Sequence, residues 1–231
     1  MLKSVGYATG AVVGSAVLEA RWGLNQGFDF YYDNFPLPGA RNWQPIAERR
    51  GDAVVREALH WLESNKKGPF FLWVHLFDPH DPYTPPSPYD RRYRDRPYDG
   101  EIAFTDDMVG TILGSLKRSG LYEKCLIVLI GDHGEGLGEH GETYHGFFIY
   151  DSTLRIPLIF KLPGPGAVRG KRLAGPLRAI DVVPTVLQIL GLAGKVRAPD
   201  VQGRGAYSAL LGRSSLSDTT VMAEIFLPFW R

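Results

Sequence analysis

One short stretch of the chain concentrates side chains that bind cations and move protons. Residues 127–146, IVLIGDHGEGLGEHGETYHG, hold one Asp, three Glu and three His among six Gly, directly after four aliphatic residues. Carboxylates and imidazoles are common ligands for divalent ions, and an imidazole also exchanges protons near neutral pH. A surface loop does not need three imidazoles, so this composition indicates a metal site.

Asp132 and His133 are the first side chains after a strand that is predicted to end at Ile130. In layered α/β sheets, ligands bind just beyond the carboxyl ends of the strands. A carboxylate oxygen and an imidazole nitrogen side by side are suitable ligands for a divalent ion. Two ligands do not hold a metal alone, so further ligands must come from elsewhere in the chain.

Two other interpretations of this stretch stay open at this point. Gly136-x-Gly138-x-x-Gly141 has the spacing of a dinucleotide fingerprint, but no helical pattern opens after it. The stretch also fits a polar loop whose histidines only hydrogen-bond to the backbone. The sequence has no P-loop, EF-hand, HExxH or GxSxG motif, so these common signatures of nucleotide, calcium, zinc and serine-hydrolase sites are absent from it.

His80 lies in a second segment that follows a predicted strand, FDPHDPY at residues 77–83. Prolines on both sides restrict the backbone, as expected where a side chain must keep one position. His75, inside the strand, is interpreted as a hydrogen-bonded core residue. His60 lies on the polar side of a predicted helix and is interpreted as a surface residue.

Apolar periodicity predicts helices that alternate with strands. Apolar residues at helical spacing predict helices, and short, almost wholly apolar runs predict strands covered on both faces. The predicted helices are 52–64, 99–119 and 181–190, and the predicted strands are 11–17, 70–77, 125–130, 156–162 and 221–225. This alternation predicts an α/β fold with a layered, mostly parallel sheet flanked by helices, in one domain over residues 1–231.

Composition restricts the classes of partner. The chain has 231 residues and a formal net charge of +1, which gives no electrostatic case for nucleic acid or an anionic membrane surface. Its single cysteine, Cys125, excludes an internal disulfide framework. No apolar run reaches the ~18 residues that span a bilayer, so no transmembrane segment is predicted. Residues 1–18 are weakly similar to a signal peptide, and the tail of a helix followed by a strand is the preferred interpretation.

Several segments, in one order along the chain, resemble the sulfatase family of the alkaline phosphatase superfamily. They are GYATG at 6–10, GFDFYYD at 27–33, PFFLWVHLFDPHDPY at 69–83, YDGEIAFTDD at 98–107, GDHGE at 131–135, HG at 145–146, RIPL at 155–158, DVVPT at 181–185 and LGL at 190–192. This resemblance covers roughly residues 1–202 and implies an alkaline phosphatase-like fold, incomplete at both ends.

The resemblance implies a role for four residues. Asp132 and His133 occupy positions that ligate the divalent metal, which is calcium in most sulfatases; Mg²⁺, Mn²⁺ or Zn²⁺ are the alternatives. His80 matches the histidine that contacts the sulfate and assists the leaving oxygen. His145 matches a second basic residue at the sulfate, with His140 as a nearby rival.

The sequence also departs from the family. The family nucleophile, a Cys or Ser in a Cys/Ser-x-Pro/Ala-x-Arg segment, and an Asp-Asp pair of metal ligands would precede the GYATG segment, and neither is in these 231 residues. Cys125 starts a predicted strand and does not match the nucleophile. We therefore expect a partial chain, without the nucleophile segment and the C-terminal subdomain, that is inactive alone. Many sulfatases carry Asn at the position of His133, so this histidine favours phosphoesterase or phosphoryl-transfer relatives of the superfamily.

The function implied by the resemblance is metal-assisted hydrolysis of a small-molecule or carbohydrate sulfate ester. The first alternative is a phosphodiesterase, phosphonate hydrolase or phosphoglycerol transferase of the same superfamily. The second is a non-catalytic binding domain. The resemblance also favours a periplasmic or extracellular location.

Overall fold

The computed structural model describes residues 1–35, 47–164, 170–197, 200–216 and 220–224. The chain divides into two compact units, Met1–Ser119 and Gly120–Arg231. The single domain expected from the sequence stays a prediction.

The first unit is built on a three-stranded parallel sheet. Its strands are β1 (Ala8–Val12), β2 (Phe30–Tyr32) and β3 (Phe70–Val74), in the order β2-β1-β3. β1 pairs with β3 from Ala8 opposite Phe70 to Val12 opposite Val74. The central strand is buried along most of its length, which explains its small and β-branched residues. This sheet confirms the parallel arrangement that the sequence predicts.

Helix α1 (Gly51–Asn65) covers one face of this sheet. Val54 and Ala58 pack against Val12 of β1, and all three are fully buried. The indole of Trp61 lies over Gly10, where a Cβ atom would come within 2.5 Å of the ring. The apolar stripe predicted for residues 52–64 is therefore the face that builds the core.

The loop after β3 leads to two further helices, α2 (Tyr89–Arg92) and α3 (Pro97–Arg118). α3 begins two residues before the predicted start at Asp99, because proline is well suited to the first turn of a helix. Its buried residues include Glu101 and Phe104, whereas the apolar Ile102 is exposed. A glutamate therefore takes a place in the interior of this unit.

The second unit contains a two-stranded antiparallel sheet. β4 (Ile127–Ile130) pairs with β5 (Leu158–Lys161), with Ile127 opposite Lys161 and Ile130 opposite Leu158. The expectation that β4 is a buried strand was wrong, because its first three residues are only half-buried and Ile130 is exposed, as is Ile159 of β5. One antiparallel pair is compatible with the mostly parallel sheet predicted, and short apolar runs carry no information on strand direction.

Three short helices complete the described part of the second unit: α4 (Asp151–Leu154), α5 (Val182–Ile189) and α6 (Tyr207–Leu210). The buried Asp181 precedes α5 and accepts hydrogen bonds from the Arg178 guanidinium and from the Arg204 amide. The strand predicted at 221–225 does not form within the described residues 220–224, and Ile225 lies outside them. In the described ranges no helix has the length and apolar character to cross a bilayer.

Candidate active-site residues

The loop that carries His80 is fixed by a buried glutamate on α3. Glu101, only 3% exposed, accepts hydrogen bonds from two backbone amides of this loop. His80 N lies 3.0 Å from Oε2, and Thr84 N lies 2.6 Å from Oε1. A charged acceptor of two amides makes stronger hydrogen bonds than a neutral group would. The backbone on either side of His80 is therefore held by one side chain.

Asp78 fastens the start of the same loop to both long helices. The amide of Gly51, the first residue of α1, donates to Asp78 Oδ2 at 2.9 Å. The Thr105 hydroxyl of α3 donates to the carbonyl oxygen of Asp78 at 3.0 Å. The amide at a helix start has no partner within the helix, so a carboxylate there satisfies it and also meets the positive end of the helix dipole.

The His80 imidazole itself is oriented by its own loop. Its Nδ1 atom lies 2.6 Å from the carbonyl oxygen of Asp81, and its ring stacks on Phe77 with centroids 4.1 Å apart. Because a carbonyl only accepts, Nδ1 carries the proton. Nε2 is then the nitrogen that accepts in the neutral ring and donates when the ring is protonated.

Three carboxyl groups around this loop have raised pKa values. Burial raises the pKa of Glu101 to about 7, with additional repulsion from Asp78 and Glu48 and opposition from the two amide hydrogen bonds. Burial also raises the pKa values of Asp78 and Glu48 above the ordinary carboxyl range. The first unit therefore holds a group whose charge changes near neutral pH, in direct contact with the His80 backbone.

Asp132 and His133 follow β4 in the second unit, as the sequence predicts. The His133 amide donates to Asp132 Oδ1 at 3.0 Å, and His133 Nδ1 lies 2.7 Å from the carbonyl oxygen of Gly134. Nδ1 therefore carries the proton and Nε2 the lone pair. This Nε2 atom lies 3.7 Å from Asp132 Oδ2, and the Asp132 side chain is 78% exposed.

These two atoms make a donor set that fits a divalent cation. A carboxylate oxygen and an imidazole lone pair face each other, and both are accessible to solvent. Within the described ranges, no group of three or more His, Cys, Asp or Glu side chains is arranged to hold a metal ion. The structure thus fits the predicted pair of ligands and leaves their assignment a prediction.

His145 lies beside this pair. Its ring centroid is 3.9 Å from that of His133, with 30° between the planes. Its Nδ1 atom lies 3.1 Å from Oε1 of Glu135, a side chain that is 5% exposed. The rival His140 instead stacks on Tyr150. The second unit therefore brings together Asp132, His133 and His145, three of the four predicted residues.

A second buried glutamate shapes the loop that carries His145. Glu142, 7% exposed, accepts hydrogen bonds at Oε1 from the amides of Phe147 and Phe148, at 3.0 and 3.2 Å. Its other oxygen, Oε2, is buried and has no hydrogen-bond donor among the described residues. Glu101 and Glu142 thus act alike, because each binds two amides of a loop that carries a candidate histidine.

Sequence reasoning assigned no role to Glu101, Glu135 or Glu142. The only signal for Glu101 is its place three residues before Phe104 on a helix, on the face that becomes buried. Glu135 and Glu142 stand in the histidine-rich stretch itself, but their types do not distinguish them from the exposed Glu139. These three glutamates differ from Glu139 in that their side chains are buried, and burial is known only from the fold.

Comparison with known proteins identifies the family of this chain. A family model described as Sulfatase matches residues 1–192. An ulvan-active sulfatase of Formosa agariphila is 25% identical over 240 residues, which cover 88% of this chain and 46% of that protein. The chain therefore spans less than half the length of that relative.

Solved structures of known proteins share the fold, among them the following two. One, in complex with its substrate D-glucosamine-2-N,6-O-disulfate, has a TM-score of 0.70 at 19% identity and covers 94% of this chain and 64% of that chain. The other, a phosphonate monoester hydrolase of Agrobacterium radiobacter, has a TM-score of 0.74 at 17% identity and covers 94% of this chain and 62% of that chain. At such identities the likeness supports the fold alone, and it confirms the predicted alkaline phosphatase-like α/β class.

Proposed function

This chain belongs to the sulfatase family, and we propose on that basis that it supplies the cation-binding and leaving-group residues of an enzyme that hydrolyses sulfate esters. The observation that carries the proposal is the cluster of Asp132, His133 and His145. A carboxylate oxygen and an imidazole lone pair face each other 3.7 Å apart, and a second imidazole lies in ring contact with the first.

Asp132 and His133 would hold the divalent cation. When bound, such a cation withdraws charge from the non-bridging oxygens of a sulfate ester. Family resemblance favours calcium. The imidazole of His133 also suits Mn²⁺ or Zn²⁺, because nitrogen ligands are common for these ions and rare for calcium.

His145 and His80 would act on the oxygen that leaves. As the S–O bond breaks, the departing alkoxide needs a proton or a compensating positive charge. In both rings Nδ1 is bound to an acceptor, so Nε2 is the atom that donates. The resemblance supports His80 in this role, and the hydrogen bonds that hold its loop support an imidazole kept in one position.

We propose a sulfated carbohydrate as the substrate class. The ulvan-active sulfatase and the protein bound to D-glucosamine-2-N,6-O-disulfate are the basis for this choice. The similarity to a phosphonate monoester hydrolase makes phosphonate esters the competing substrate. Both esters present an anionic group with several non-bridging oxygens, so one cation site suits either.

Turnover by the natural gene product tests the proposal. 4-Nitrophenyl sulfate and sulfated sugars are compared with phenyl phosphonate esters and phosphodiesters. We expect sulfate esters to give the highest kcat/KM. We expect Asp132→Ala and His145→Ala each to reduce it by about 10²–10⁴. His60→Ala, on an exposed position of α1, is the matched control.

Two results would contradict the proposal. Faster turnover of phosphonate esters or phosphodiesters would favour the phosphoryl alternative. Absence of turnover with every ester, in a folded protein loaded with divalent cation, would favour a non-catalytic binding domain.

A further inference from the structure

Glu135 is a buried carboxylate in contact with a functional candidate. Its side chain is 5% exposed, and its Oε1 atom lies 3.1 Å from Nδ1 of His145, a residue ten positions later in the chain. Burying a carboxylate is costly unless it is paired or hydrogen-bonded. The Nδ1–H group of an imidazole provides such a partner.

The backbone around Glu135 is held by other groups. The amide of Gly134 donates to the carbonyl oxygen of Thr153 at 2.8 Å. Gly136 lies against the backbone carbonyl oxygens of Tyr144 and Glu142, so closely that a Cβ would come within 2.5 and 2.9 Å of them. The backbone next to Glu135 is therefore already held without its side chain, and the contact between Glu135 Oε1 and His145 acts on the imidazole instead.

The contact determines which nitrogen of His145 carries the proton. A carboxylate accepts from Nδ1–H, so it stabilises the tautomer in which Nε2 holds the lone pair. The ring also lies against His133, with centroids 3.9 Å apart, so its plane is restricted as well. A carboxylate behind an imidazole is a recurring way to fix both orientation and tautomer.

We propose that Glu135 is a positioning residue, which holds His145 with Nδ1 protonated and Nε2 directed to the substrate. The catalytic part of this inference depends on the proposed function. The structural part, the tautomer of His145, does not depend on it.

Histidine ¹⁵N NMR of the 231-residue chain tests the tautomer directly. Spectra are recorded well above the usual imidazole pKa of about 6.5, and the His145 signals are assigned by their loss in His145→Gln. We expect the wild type to show the Nδ1–H pattern. In Glu135→Leu, which removes the acceptor, we expect a shift to the Nε2–H pattern that free histidine favours in water.

Glu139→Leu is the matched control, because Glu139 is an exposed glutamate of the same loop and should leave the His145 tautomer unchanged. A wild-type spectrum with the Nε2–H pattern would overturn the proposal without any variant, even if Glu135→Leu failed to fold. An unchanged tautomer in a folded Glu135→Leu variant would overturn it as well.

Kinetics in the natural gene product then separate the two proposals. We expect Glu135→Leu to lower kcat about 10–100-fold with a smaller change in KM, as for other partners that orient a functional group. If His145 shows the Nδ1–H tautomer but the natural gene product hydrolyses no sulfate ester, the proposed function is refuted and the role of Glu135 is not. If sulfate esters are hydrolysed but His145 shows the Nε2–H tautomer, the role of Glu135 is refuted and the proposed function is not.

Discussion

Three histidines of this chain share one arrangement at the scale of single residues. The Nδ1 atoms of His80 and His133 each contact a backbone carbonyl one residue ahead, and that of His145 contacts the Glu135 carboxylate. Each acceptor fixes Nδ1 as the protonated nitrogen and leaves Nε2 as the chemically active one. Such uniformity is expected where imidazoles must present the same atom to a cation or to an anion.

The residue types and their places after strands made Asp132, His133 and His80 candidates, and the resemblance to the sulfatase family added His145. The glutamates that position two of them were not selected. From the sequence alone, Glu101 is expected to be a solvent-exposed polar residue of an amphipathic helix. It is buried because the loop that carries His80 packs on α3 and donates two amides to it.

Glu101 gives a prediction at this scale. Its pKa in the folded chain, about 7, lies above its ordinary value of 4.5, so the folded state binds more protons between these values. Stability must then fall as pH rises through this window. We expect the free energy of unfolding of the wild type, relative to Glu101→Gln, to fall by about 2 kcal/mol from about pH 5 to about pH 8.

Urea unfolding of both proteins across this range measures the difference. Glu63→Gln, at an exposed position of α1, is the control and should give a nearly constant difference from the wild type. A difference for Glu101→Gln that is equally constant would show that this carboxyl group is ionised throughout the range.

At the scale of elements, the packing of α1 on β1 depends on a glycine. The Trp61 indole occupies the space above Gly10, and the closest ring carbon would be 2.5 Å from a Cβ atom there. The long helices α1 and α3 and the strand β3 were predictable because their apolar residues follow the expected periods. The first strand was predicted at 11–17 but forms at Ala8–Val12, and β2 was not predicted. The antiparallel pairing of β4 with β5 was not predictable, since the 27 residues that connect them (131–157) follow no regular period.

Gly10→Ala is expected to destabilise the first unit by about 1–3 kcal/mol, because the methyl group overpacks a filled core. Trp61→Leu should remove most of this penalty, so the double variant tests the contact itself. Gly110→Ala, on an exposed position of α3 where a Cβ meets nothing within 4 Å, should instead stabilise by about 1 kcal/mol. Denaturant unfolding measures the stability of all four variants, namely Gly10→Ala, Trp61→Leu, their double variant and Gly110→Ala. Additive effects of Gly10→Ala and Trp61→Leu would contradict the account.

At the scale of the whole molecule, two compact units each contribute part of the predicted residue set. Unit Met1–Ser119 carries His80 on a loop tied to α1 and α3, and unit Gly120–Arg231 carries Asp132, His133 and His145. The family and its fold class could be inferred from the matching segments and their order along the chain. The metal and the natural substrate could not, because donor atoms and pocket loops vary on a shared scaffold.

The most direct measurement of the central claim is a cation titration followed by histidine ¹⁵N NMR on the 231-residue chain. We expect calcium to shift the ¹⁵N signal of His133 Nε2 in the wild type and not in Asp132→Asn. Zinc is tested in the same way as the competing ion. Sulfate added to the cation-loaded chain should then shift the ring signals of His145, which lies in ring contact with His133. A His133 signal that stays unchanged at saturating cation, or that shifts equally in Asp132→Asn, would contradict the claim that these two residues hold the metal.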